Sequence, residues 1–151
     1  MNKLTASLVQ MNLKKGSYFV CDPCYVYPDK EWSNFCEIFF AAEKSRKHEN
    51  GVKMTYAEID FFVCDTAYGD GCYPIYQNKK RIGELGVDAG LLSIIPIKLL
   101  KIWNSNQKEA ERLGVFIELK EDCIVSASGG NFRFGQFEVI TNESGEEEYE
   151  N

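Results

Sequence analysis

Three polar corners, Tyr68-Gly69-Asp70-Gly71, Asn78-Lys79-Lys80 and Asp88-Ala89-Gly90, cut the stretch from Glu58 to Pro96 into apolar segments too short for helices. The segments are rich in Val, Ile, Phe and Tyr, the residues that pack on a pleated surface. Glycines on both sides of Asp70 open backbone angles closed to other residues, so the chain turns sharply there. The pattern predicts one long strand over 52–67, then strands over 72–77, 81–87 and 91–95, with a hairpin turn at 78–80. On the long strand Ala57, Ile59, Phe61 and Val63 share one face, and Glu58, Asp60 and Phe62 the other. Pro96 then suits the first position of a helix, and Leu99, Leu100 and Trp103 follow at helical spacing. Asn104-Ser105-Asn106 breaks or recaps that helix, a polar continuation runs to Arg112, and Gly114 is its expected stop.

The flanks read the same way. Residues 4–13 and 17–21 are short strands, and Lys14-Lys15-Gly16 between them predicts an opening hairpin. Pro23 ends the second strand by removing a ladder donor and holding Asp22 extended. From Asp29 the period changes: Trp32, Phe35, Cys36, Phe39 and Phe40 form one stripe of a helix over 30–43, capped by Asp29. Glu43 to Gly51, with His48, reads as an exposed loop. Strands are expected over 115–120, 123–128 and 132–141, the last two joined by a hairpin at Gly129-Gly130-Asn131. Many strands, two helices and no βαβ alternation predict an α+β fold with a mainly antiparallel, strongly curved or barrel-like sheet carrying about two helices.

The length of 151 residues and an apolar share of 44% suit one domain, expected over 1–142. The net charge of −6 is no sign of an acidic body. Glu143, Glu146, Glu147, Glu148 and Glu150 carry five of those charges, which leaves residues 1–142 at −1. Residues 143–151 are therefore expected to be a solvated acidic tail. MNKLTASLVQ lacks the continuous apolar core of a signal peptide, and no run reaches the ~18 apolar residues of a membrane helix, so a cytoplasmic protein without membrane contact is expected. In that compartment the six cysteines are free thiols and small buried groups.

Four arrangements invite a chemical reading. Cys21-Asp22-Pro23-Cys24 has the spacing of a redox dithiol or of half a zinc site. The β-rich Tyr25-Val26-Tyr27 that follows displaces the helix that would activate a thiol, and the remaining cysteines stand alone, so a turn between strands is the expected role. Asp22, Asp65, Asp70 and Asp88 fall at strand ends, where a folded sheet could gather them around a divalent cation that activates water. Aspartates in such places also bond their own turns, and no paired-carboxylate spacing supports the metal. Gly83, Gly86 and Gly90 lack the following Lys-Ser/Thr of a phosphate loop and mark bulges or close packing instead. His48 is the sole imidazole, and Lys79, Lys80 and Arg81 are one hairpin tip rather than a nucleic-acid stripe.

Asp22-Pro23-Cys24-Tyr25-Val26, Trp32, the AYGDGCYPIY of residues 67–76 and the VDAGLLSIIP of residues 87–96 together resemble small uncharacterised proteins of bacteriophage and bacterial genomes. The resemblance covers about residues 17–100. It implies a phage or prophage association and no particular activity. Since those proteins often carry another residue where this chain has Cys21, it also speaks against a chemistry that needs both thiols. The expectation is a phage-type accessory binding module that occupies a host protein or captures a small ligand, with no cofactor and no nucleic-acid partner. Divalent-metal hydrolysis by the aspartates, or less favourably CxxC thiol oxidation, is the alternative. The expected polar site gathers Asp22, Asp65, Asp70 and Asp88 beside Tyr68 and Tyr73 at one end of the sheet.

Overall fold

Three strands are apolar on both faces, and this decides the architecture. In a computed structural model, which describes residues 4–7, 11–44, 51–104 and 107–142, β1 (Thr5–Ser7), β2 (Asn12–Leu13) and β3 (Gly16–Cys21) precede helix α1 (Trp32–Lys44). The strands β4 (Gly51–Tyr56), β5 (Ile59–Asp65), β6 (Gly71–Gln77), β7 (Lys80–Val87) and β8 (Leu91–Pro96) come next. After helices α2 (Ile97–Trp103) and α3 (Gln107–Glu111) the chain closes with β9 (Val115–Leu119), β10 (Cys123–Ser128), β11 (Asn131–Phe134) and β12 (Phe137–Val139).

The strands form two antiparallel sheets, in the orders β1-β4-β5-β8-β3-β9 and β2-β10-β11-β12-β6-β7. Along β3, β5 and β8 the side chains alternate between two cores. Tyr18, Val20, Phe62, Cys64, Leu92 and Ile94 face the second sheet, where Ile75, Leu85, Phe132 and Phe134 meet them. Phe19, Cys21, Phe61, Val63, Leu91 and Ile95 face the other way, onto Phe35 and Phe39 of α1 and Leu99, Leu100 and Trp103 of α2. The result is sheet on sheet, with helices over the outer face of the first sheet. This corrects the expected barrel: both sheets stay open, because a central strand with two apolar faces needs a layer on each side.

Four local expectations also change. The segment 52–67 is a hairpin, with Tyr56 opposite Ile59 and only Ala57-Glu58 between them. Both turn residues have positive φ, of 54° and 64°. The opening is no hairpin, since β2 pairs with β10 in one sheet while β3 pairs with β8 and β9 in the other. Lys14 and Lys15 therefore cross between layers. The segment 132–141 folds back on itself at Gly135, whose φ is +65°. Gly114 serves close packing rather than a helix stop: a Cβ there would lie 2.7 Å from the Val20 carbonyl oxygen and 2.6 Å from the Phe19 ring.

Other elements lie where expected, except that residues 29–31 form a 3-10 turn before α1 begins at Trp32, so Asp29 lies inside that turn and does not cap the helix. The stripe of α1 has Phe35 and Phe39 fully buried, while Phe40 at its edge is exposed. The 71–87 hairpin turns at Asn78-Lys79, and β8 is buried along Leu91–Ile95. Residues 45–50 with His48, residues 105–106 and the acidic tail lie outside the described residues. No helix among the described residues is long and apolar enough to cross a membrane.

Candidate functional site

Antiparallel pairing gives the first sheet two distinct ends. At one end β3 and β5 finish and β8 begins, and here the sequence-predicted residues lie. Asp22 follows β3 and caps a single 3-10 turn over Pro23–Tyr25. Its carboxylate is fully buried and accepts three backbone N–H groups: Cys24 at 3.0 Å, Asp88 at 3.0 Å and Ala89 at 2.7 Å. One side chain thus pins the corner between β7 and β8 to the turn after β3. Burial pushes its carboxyl up, against the pull of the three amides and the Cys24 thiol.

Around it the corners interlock. The Thr66 amide donates to the Gly90 carbonyl at 3.0 Å, and the Thr66 and Tyr73 hydroxyls both donate to the Gly69 carbonyl, at 2.7 Å and 2.9 Å. Tyr68 is exposed and its hydroxyl donates to the Asn142 carbonyl at 3.1 Å. Thr141 ties in the second sheet, its hydroxyl accepting from the Ala67 amide at 2.9 Å. Asp65, opposite Leu91, is half-buried, and the side chains of Asp70 and Asp88 are exposed. The segments converge, but the four carboxylates do not form a ligand set: among the described residues no three His, Cys, Asp or Glu side chains stand close enough to hold a metal ion.

The two thiols of the CxxC are no activated pair. Cys21 is fully buried, with its sulfur 4.0 Å from the Ser93 hydroxyl, and burial raises its thiol well above the ordinary range. Cys24 is raised by burial first and then by the Asp22 charge. Both are held as protonated thiols, the opposite of what a nucleophile needs.

At the other end of the same sheet lies a cleft of about 490 Å³ that sequence reasoning missed. It forms where β3 and β5 begin, where β8 runs into α2, and where the Lys14-Lys15 crossover bridges the two sheets. Met11 and Tyr18, both from the core between the sheets, form part of its wall, with half-buried Ile59 and Ile97 beside them. Lys14, Lys15, Lys98, Glu58 and Asp60 supply its charges, and Ser17 and Asn12 its neutral polar groups. A recess of about 330 Å³ shares Asn12 and Lys14 with it. No local signal announces this cleft, because its residues come from three segments that meet only through sheet pairing. Compared with protein-family models, with curated proteins and with solved structures, the chain matches none.

Proposed function

We propose that this chain is a non-enzymatic binding module that captures a small ligand in the cleft between the Lys14-Lys15 crossover, the Ala57-Glu58 turn and the start of α2. The cleft itself carries this reading: its volume of about 490 Å³ falls within the range of small-molecule sites, and its lining sets an apolar wall of Met11, Tyr18, Ile59 and Ile97 beside five charged and two neutral polar side chains. The Asp22 corner supports it indirectly. There the one buried carboxylate has its capacity spent on backbone amides, which makes the corner a clasp that holds strands together. The motif resemblance favours a phage-type accessory role for such a module, and the concave shape of the cleft favours small-ligand capture over occupation of a host-protein surface.

The test is native mass spectrometry of the purified chain after exposure to the small-molecule fraction of a bacterial lysate, beside an Asn12→Trp variant. Asn12 is exposed and lines the cleft, so an indole there fills space without touching the core. The wild type should retain a discrete added mass that the variant loses. Equal retention by both chains would refute capture in this cleft.

A further inference from the structure

We infer that the cleft selects small molecules that carry an anionic head on an apolar body. The inference rests on the cleft reading above and adds the class of ligand. Its basis is the state of the charged groups around the opening. Of the two acids, Asp60 is committed: its carboxylate accepts the Thr55 hydroxyl at 2.7 Å and lies 3.5 Å from the Lys53 ammonium, which is not part of the cleft. Glu58 remains as one open negative charge. Opposite it stand Lys14, Lys15 and Lys98, none of which has a carboxylate within ion-pair distance among the described residues. Two further carboxylates lie at the edge of the opening, Asp122 on the Lys15 amide and Glu118 on the Ser17 hydroxyl, so it is among the side chains lining the cleft itself that three unpaired lysines face one unpaired acid.

Two of those cations are also held in place at the backbone. The Lys14 carbonyl accepts the Tyr18 hydroxyl at 2.7 Å, and the Lys15 amide donates to the Asp122 carboxylate at 2.8 Å. The crossover is therefore tied to the first sheet by Tyr18 and to the second by the approach to β10, while both ammonium groups stay free for a guest. A ligand that docks there need not order the loop first, which removes part of the usual cost of binding. Beneath the lysines, Met11, Tyr18, Ile59 and Ile97 offer apolar surface to the ligand's body. A carboxylate or phosphate head meeting Lys14, Lys15 and Lys98 would make charge-assisted hydrogen bonds there, and a cationic head would be repelled.

The experiment uses four probes with one eight-carbon body: octanoate, octyl phosphate, octylammonium and octanol. Each is titrated into the isotopically labelled full chain below its micellar range, and amide shifts report both location and affinity. Octanoate and octyl phosphate should shift Gly16, Ser17 and Lys98 and bind about tenfold or more tightly than octylammonium, with affinity that falls as salt is raised. Lys14→Gln combined with Lys98→Gln, both exposed positions, should abolish that preference and leave octanol binding unchanged. Equal affinities for all four probes in the cleft would overturn the anionic selectivity and keep the cleft as a binding site. Absence of cleft shifts with every probe would overturn both readings.

Discussion

Asp22 and Tyr27 show how differently two buried polar groups can be treated in one fold. Asp22 meets three amide donors, which offset part of the cost of its burial. Replacement by Asn keeps the shape but turns one acceptor oxygen into a donor that faces amides, leaving at least one buried N–H unpaired. Asp22→Asn should lower unfolding free energy by about 1–3 kcal/mol, measured by urea titration. The sign of its pH dependence follows from the raised folded pKa: the native state holds this proton more tightly than the unfolded chain does, so the stability it contributes is complete below the ordinary carboxylate value and is lost as pH rises through the folded value. The deficit of the variant should therefore widen as pH is lowered from 7 toward 4, and a deficit constant with pH would contradict the assignment. Tyr27 is the reverse case. Its ring is 5.1 Å from that of Trp103 and 4.9 Å from that of Phe35, centroid to centroid, and its buried hydroxyl has no hydrogen-bond partner among the described residues. The ring contributes packing while the hydroxyl costs desolvation. Tyr27→Phe should stabilise the protein by about 1 kcal/mol, read as a rise in melting temperature of about 2–4 °C. A fall would mean that the hydroxyl is paired in solution.

At the scale of elements, the strands were legible in the sequence and their connections much less so. β6, β7 and β8 announce themselves by apolar runs bounded by Gly, Asp and Asn, and the Asn78-Lys79 turn has the residue type expected where φ is positive. Ala57-Glu58 adopts the same geometry with two residues that disfavour it, so alternation through the turn reads as one long strand. The pairing of β4 with β5 imposes this turn from outside: Val52, Met54, Phe61 and Val63 are all fully buried once the hairpin forms. That burial outweighs the local strain. Glu58 is exposed and its φ of 64° suits glycine, so Glu58→Gly should stabilise the hairpin by about 0.5–1 kcal/mol in chemical denaturation. A loss of stability would show that the Glu58 side chain makes contacts in solution worth more than the strain it carries. The cleft was illegible for a related reason. Lys14 and Lys15 look like a hairpin turn until β2 is seen to join a different sheet from β3, and only that crossover brings them to Ile59 and Lys98.

For the molecule as a whole, two cores meeting at one central sheet leave the residues at the middle of each core out of reach of water. Cys21 lies on the helix side of that sheet and Cys64 on the side of the second sheet, both fully buried, and burial raises both thiols well above the ordinary range. The aspartates beside them, Asp22 and Asp65 respectively, add to the effect. In the unfolded chain these thiols ionise near 8.5, whereas in the native state they keep their protons. Native protein then binds more protons than unfolded protein at alkaline pH, and stability falls as pH rises. Below about 8.5 the contribution of each thiol is fully present, and above it each costs up to about 1.4 kcal/mol per pH unit until its folded value is reached. For a stability of about 5–15 kcal/mol, two such groups are enough to make the fold alkali-sensitive. Urea midpoints measured under reducing conditions from pH 7 to 11 should be flat to about pH 8.5 and then drop steeply. In a Cys21→Ala, Cys64→Ala double variant the starting stability should be lower, because each change leaves a small void, but the alkaline slope should be shallower by the share of these two thiols. Parallel slopes in the two proteins would assign alkaline loss to other groups, Tyr27 and Cys24 first, since burial raises both of those as well.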